Sequence, residues 1–230
     1  MGDEVPIVER TSRVTRSREQ ARQSYNSMSR FYGFLSNGSE KKFVQTAIEG
    51  FLKPREGERI LEPGFGSGQV LVALARAVGE AGKAYGIDIS DGMVEVTRKR
   101  LAREGLEGRV ELTRGDAVAL PYEDDFFDGI FMSFTLELFD APEIPLVLQE
   151  CRRVLKDGGR ICVASMSDQG KHGTMMKLYV WSHKKFPDFV DCRPIFARAF
   201  VEDAGFEVTG YRIMSMWGLP VEIVLGRKIS

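Results

Sequence analysis

Arg59-Ile60-Leu61-Glu62-Pro63-Gly64-Phe65-Gly66-Ser67-Gly68 is the stretch on which the reading of this chain turns. Its apolar start has the makings of a buried strand, and Gly64, Gly66 and Gly68 then fall at alternate positions. Glycines spaced in this way let the backbone turn sharply from strand to helix and leave no Cβ between the peptide and a ligand lying on it. A dinucleotide fingerprint would place its third glycine at position 69, which is Gln69, and the glycine-lysine phosphate loop is also missing. Glu62, at the mouth of the loop, would repel a pyrophosphate and suit an ammonium group. The loop therefore points to a cationic ligand carrying an adenosine, away from NAD or ATP.

The following strands end in polar groups that suit the rest of such a ligand. Lys83-Ala84-Tyr85-Gly86-Ile87-Asp88 reads as a buried strand, and Asp88 comes about 20 residues beyond the glycines, where an acid that accepts from ribose hydroxyls is expected. Val110-Glu111-Leu112-Thr113 runs into Gly115-Asp116-Ala117, which sets Asp116 to accept from an exocyclic adenine amine. Phe127-Asp128-Gly129-Ile130-Phe131-Met132 opens into Ser133-Phe134-Thr135-Leu136-Glu137. Strands near 59–62, 83–88, 109–113, 127–133 and 159–165 alternate with helices near 67–80, 91–104 and 143–156. That alternation predicts parallel strands joined by right-handed crossovers, with all these strand ends along one edge.

Upstream, Phe43, Val44, Ala47, Ile48, Phe51 and Leu52 recur at helical spacing over 40–53, and Pro54 stops the helix. Downstream, a helix over 194–204 is closed by Gly205, and 206–214 with 219–227 read as an antiparallel hairpin around Trp217-Gly218.

Composition agrees with a globular chain of one domain, residues 1–230: 43% of residues are hydrophobic and 28% charged. A net charge of −1 gives no general drive toward nucleic acid, and a peripheral membrane contact would need a local patch. Cys151, Cys162 and Cys192 form no close pair, and with His172 and His183 as the two histidines no metal-ligand set emerges. The expectation is a reduced, cytoplasmic protein without a metal. Residues 1–18 lack the apolar core of a signal peptide, and no run approaches a membrane span. Residues 1–20, polar and rich in arginine, are expected to be a flexible leader.

Five motifs occur here in order: Leu61-Glu62-Pro63-Gly64-Phe65-Gly66-Ser67-Gly68; Gly86-Ile87-Asp88-Ile89-Ser90 followed by Met93; Gly115-Asp116-Ala117; Phe127-Asp128-Gly129-Ile130; and Cys151-Arg152-Arg153-Val154-Leu155-Lys156-Asp157-Gly158-Gly159-Arg160. In this order, over residues 25–228, the chain resembles the class I S-adenosylmethionine-dependent methyltransferases, and within them the ubiquinone and menaquinone group. The resemblance implies an α/β fold, a Rossmann-like doubly wound sheet of seven strands, mostly parallel, ending in an antiparallel hairpin. It implies S-adenosyl-L-methionine as cofactor, its methionine part cradled by Glu62, Gly64, Gly66 and Gly68. Asp88 would hold the ribose, Ile89 and Met93 would flank the adenine, and Asp116 with the Ala117 amide would read its edge; Ser133 is assigned to the cofactor as well. In the quinone group an N-terminal helix folds over the cofactor. Here Asn26 and Gly33 stand where its aspartates are usual, while Tyr25 and Tyr32 remain to contact the cofactor carboxylate, or alternatively only pack the helix.

Two regions lie outside the strand–helix repeat and should carry acceptor specificity: cover helices over 21–55, and an insertion over 166–193 that follows the fifth strand, where the fold places a lid. The insertion holds Met175, Met176, Tyr179, Trp181, His183 and Phe186, which suit an apolar or aromatic acceptor. Phe134, Glu137, Tyr179, Trp181 and His183 are the candidate acceptor contacts. His183 is the candidate for a general base, with a structural role as the alternative. Glu137 and Asp140 either orient a cationic or hydroxylated acceptor or belong to a solvated loop. A sulfonium cofactor carries the reactive methyl, so no protein nucleophile is needed. The reading is methyl transfer to a small quinol-like or lipid-like acceptor. An RNA or protein methyltransferase, and a cofactor-binding regulatory subunit without turnover, are the alternatives.

Overall fold

The computed structural model describes residues 5–14, 16–35, 41–169 and 193–229, with the side chains of 27–35 excepted. Seven strands form one sheet: β1 (Arg59–Pro63), β2 (Lys83–Asp88), β3 (Val110–Arg114), β4 (Phe127–Ser133), β5 (Leu155–Met166), β6 (Phe206–Met216) and β7 (Leu219–Lys228). The helices are α1 (Ile7–Arg10), α2 (Arg18–Leu35), α3 (Lys41–Gln45), α4 (Gln69–Ala77), α5 (Asp91–Glu104), α6 (Ile144–Val154) and α7 (Ala197–Asp203). Strand order is β3-β2-β1-β4-β5-β7-β6, parallel from β3 to β5, with β7 antiparallel to both β5 and β6.

This is the doubly wound sheet with a terminal hairpin that the sequence predicts, and its physical basis is visible strand by strand. β2 is a nearly continuous buried run, as a strand must be when helices cover both faces. On one face Ala47, Ile48, Leu71, Leu74, Val94 and Leu101 pack from the helices with Cys162 of β5 among them. On the other, Ile144, Val147, Cys151, Phe200 and Val201 pack with Ile7. Cys151 and Cys162 are both fully buried. Among the described residues no helix is long and apolar enough to cross a membrane.

The helix over 40–53 departs from expectation. It is α-helical only as far as Gln45, and Thr46–Leu52 is a π-helix in which the Lys53 N–H donates to Ile48 O at 2.7 Å. Wider spacing brings Phe43, Ile48 and Leu52 to the core, and the chain leaves through Lys53 in the left-handed region. Arg160 of β5 fixes this exit, donating to Leu52 O at 2.6 Å, Lys53 O at 3.0 Å and Glu58 Oε2 at 2.7 Å.

In place of a free leader, residues 5–14 lie on the body of the protein. Ile7 is buried in the core, and Thr11 caps α1 by donating to Ile7 O at 2.8 Å. Single apolar anchors such as Ile7 can seat a polar arm when its charges find partners, which they do here at the edge of the site.

Candidate active site

Because β1, β2 and β3 step outward in one direction and β4 and β5 in the other, the sheet reverses its winding between β1 and β4. A crevice opens there at the carboxyl ends of the strands, where open α/β sheets bind ligands. A cavity of about 1020 Å³ occupies it, at the upper end of the ~300–1,000 Å³ usual for small-molecule sites. It is lined along the glycine loop by Glu62, Gly64, Phe65, Gly66 and Ser67, and beyond it by Asp88, Ile89, Met93, Asp116, Ala117 and Ser133.

The three glycines of the loop do different work. A Cβ on Gly66 would meet no atom within 4 Å, so its backbone faces the open cavity with φ +49°. A Cβ on Gly64 would collide with Thr135, and one on Gly68 with Thr97. Gly68 does not line the cavity; it is the left-handed N-cap of α4 and lets α5 pack close. Two side chains that the sequence reading missed clamp this loop from α5: Thr97 Oγ1 donates to Gly66 O at 2.8 Å, and Arg100 Nε to Ser67 O at 2.7 Å. Thr135 closes it from the β4 side, donating to Gly64 O at 3.2 Å. Phe134, next to Thr135, holds φ +50° and is buried while lining the cavity.

Asp88 sits 8% exposed at the end of β2 and accepts from Gly66 N and Ser90 N, each at 2.9 Å. It ties the glycine loop to the next strand end. Burial pushes its pKa up, and the backbone donors oppose that shift. Glu62 is 2% exposed; burial, and then the charge of Asp88, hold its pKa well above the usual carboxylate range. Its Oε2 has no hydrogen-bond partner among the described residues. A buried acid with an oxygen to spare beside an open backbone cradle fits an ammonium-bearing nucleoside, because a cation there repays the desolvation of the carboxylate.

Asp116, expected to contact the cofactor, and Asp140, read as either an acceptor contact or part of a solvated loop, are engaged by the N-terminal segment. Arg18 bridges Asp116 at 2.7 Å and Glu143 at 2.8 Å, and Asp116 also accepts from Val118 N at 3.1 Å. Arg13 reaches Asp140 at 2.6 Å, holding that carboxyl down at about 2. Glu137 is turned inward, fully buried, and accepts from Met166 N at 3.1 Å; it braces the end of β5 and does not line the cavity. Tyr25 does line it, with the Arg16 guanidinium 5.3 Å above its ring. Asn26 Oδ1 accepts from Ser90 Oγ at 2.7 Å and Gly92 N at 2.9 Å, which fastens α2 to the start of α5. The side chain of Tyr32, and Tyr179, Trp181 and His183, lie outside the described residues. Among the described residues no cluster of acids, histidines and cysteines is arranged to hold a metal.

A methyltransferase domain model matches residues 60–159. The demethylmenaquinone methyltransferase of Lactobacillus johnsonii is 33% identical over 154 residues, 66% of this chain; the chain spans 59% of that relative's length. Among solved structures, a [4+2]-cyclase superposes with a TM-score of 0.75 at 19% identity, covering 94% of this chain and 97% of the other. A SAM-dependent methyltransferase from Aquifex aeolicus superposes with a TM-score of 0.65 at 24% identity, covering 89% and 98%. These two likenesses carry the fold; activity has to be argued from the site. The ordered motifs, the crevice they line and these relatives together support a class I S-adenosylmethionine-dependent methyltransferase similar to the demethylmenaquinone group.

Proposed function

We propose that this protein transfers the methyl group of S-adenosylmethionine to a small apolar acceptor of the quinol class. The observation that carries the cofactor half is Glu62, buried beside Asp88 with an unpartnered oxygen, next to the open backbone of Gly66. In this reading Glu62 takes the ammonium group, Asp88 the ribose, and Ile89 and Met93 flank the adenine. The bound sulfonium supplies an electrophilic methyl whose sulfur keeps the electron pair when the bond breaks. The protein's share is to hold the acceptor atom in line, exclude water and let the displaced proton leave. Phe134, stacked edge-on against Phe43 at 6.4 Å between ring centres, gives the acceptor side of the cavity an aromatic wall. That wall, with the demethylmenaquinone relative, supports an aromatic acceptor over a strongly hydrophilic one.

The test is incubation of the purified protein with methyl-labelled cofactor and a panel containing a short-chain demethylmenaquinol, a catechol, a phospholipid amine and an RNA oligomer, read by mass spectrometry. Label should appear on the quinol, with one demethylated cofactor formed per methyl transferred. Tight cofactor binding with no labelled product across the panel would instead support a subunit that binds cofactor without turnover.

A further inference from the structure

The β6–β7 hairpin leaves the sheet at the same edge as the cavity. Met214 pairs with Val221, and Val221 pairs on its other side with Met166, the last residue of β5. Trp217 comes three residues after Met214, so the turn stands about 10 Å beyond the end of β5 at ~3.3 Å per strand residue. At its root, Leu219 and Val221 share an apolar cluster with Met166, Phe43 and Phe134, and Phe134 lines the cavity. The tip is thus joined directly to the cavity wall.

Two properties of the tip do nothing for the fold. Trp217 is 73% exposed, and Ile213, four residues earlier in β6, is 47% exposed. Trp217 and Gly218 have φ of 53° and 83°, the two-residue turn that favours Asn-Gly. An exposed apolar side chain by itself is ordinary. A bulky one held in the left-handed region, with no packing in return, is not. Lys41 and Lys42, both exposed, immediately precede Phe43 of the same cluster, and Arg212 is exposed on β6. None of these three cations forms an ion pair among the described residues. Glu49, the acid further along the same helical segment, accepts from Gln45 at 3.1 Å.

We infer that the Trp217 tip, flanked by Lys41, Lys42 and Arg212, docks on an anionic lipid surface with the cavity mouth toward the bilayer. Tryptophan favours the water–lipid boundary, where its ring is dry and its N–H stays hydrated, and cations beside it are drawn to acidic headgroups. A second copy of the chain is a poorer occupant: two apolar side chains at a turn fall well short of the roughly 800 Å² per partner of a stable interface. The inference rests on the proposed reading only for its purpose, since an apolar acceptor dissolved in the bilayer would then enter the cavity without crossing water.

The full chain carrying Trp181→Phe keeps Trp217 as its one tryptophan. With vesicles of phosphatidylcholine and phosphatidylglycerol in equal parts, its emission should shift to the blue and the protein should sediment with the lipid. Phosphatidylcholine alone or high salt should weaken that association, and Lys42→Glu with Arg212→Glu should do so roughly five- to tenfold. Trp217→Asn supplies the residue the turn prefers, so it should melt no lower than its parent while losing about tenfold or more in vesicle affinity. Absence of vesicle binding in the parent, or equal binding by Trp217→Asn, would overturn the inference. So would a fall in molecular mass on Trp217→Asn without lipid, which would make the tip an interface between copies. Cofactor affinity, measured by calorimetry on the same samples, reads the methyl-transfer proposal separately.

Discussion

On the glycine-loop side of the cavity, contacts run between buried and half-buried groups, each with a backbone partner: Asp88 to two backbone N–H groups, Thr97 and Arg100 to two loop carbonyls, Thr135 against Gly64. On the side of the N-terminal segment they run between charged side chains that are partly or fully exposed: Arg13 to Asp140, Arg18 to Asp116 and Glu143, Arg22 to Asp91. Shape holds the first side together. It depends on atoms being absent at Gly64, Gly66 and Gly68, and it does not respond to salt. Charge holds the second, in pairs that contribute about 0–1 kcal/mol each and are screened over about 8–10 Å at ordinary ionic strength. The floor of the site is therefore fixed geometry, and its rim is an adjustable closure.

The largest effect should come from Gly66→Val. Its side chain would stand in the open cavity at a φ that β-branched residues avoid, so cofactor affinity should fall about a hundredfold or more while the circular dichroism spectrum is kept. Retained affinity would mean that the ligand does not lie on this loop. Asp88→Ala should follow, with a loss of about tenfold to a hundredfold by calorimetry, the usual scale for hydrogen bonds to a charged group. An unchanged affinity in the folded variant would remove the ribose role from Asp88.

Glu62 tests the floor by pH. Its pKa is raised by burial first and Asp88 second, and only its carboxylate form pairs with an ammonium group. Cofactor affinity should therefore rise with pH across a range above ordinary carboxylate values, by at most about tenfold per pH unit, with protons released on binding. Glu62→Gln should flatten that profile and abolish the proton release, as titrations in buffers of different ionisation enthalpy would read. The smallest effect should be at the rim. Arg18→Ala should weaken cofactor binding by less than about fivefold at low salt and by nothing measurable at high salt. If it matched Asp88→Ala in size and survived high salt, the contrast between floor and rim would collapse.

How much of this could be read in advance follows the range of the forces involved. The strand–helix alternation, the loop at 62–68 and the turn at Trp217-Gly218 are local patterns of apolar periodicity and glycine, and the structure bears out the fold built on them. What the sequence hides is decided by partners far along the chain. Arg13 finds Asp140 at a separation of 127 residues, so an arm that looks too polar to order is seated. The π-helix is fixed by Arg160, whose contacts with Leu52 and Lys53 span more than a hundred positions. Glu137 turns inward because the last N–H of β5 needs an acceptor there, and nothing in Leu136-Glu137-Leu138 signals that demand. Ser90 was the one legible clue to the Asn26 latch, since a serine before Asp-Gly-Met marks a helix start whose cap an incoming side chain can share.

The two described cysteines offer a use that has nothing to do with ligands. Cys151 lies in the apolar layer on one face of the sheet and Cys162 in the layer on the other. Burial pushes the Cys151 thiol up to about 12 and the Cys162 thiol higher still, so neither forms the reactive thiolate while its layer is closed. Each is then a clock for the opening of its own layer. In a Cys192→Ser background, the rate at which a maleimide modifies each thiol would report how often that half of the protein breathes, and whether the two halves open together or apart.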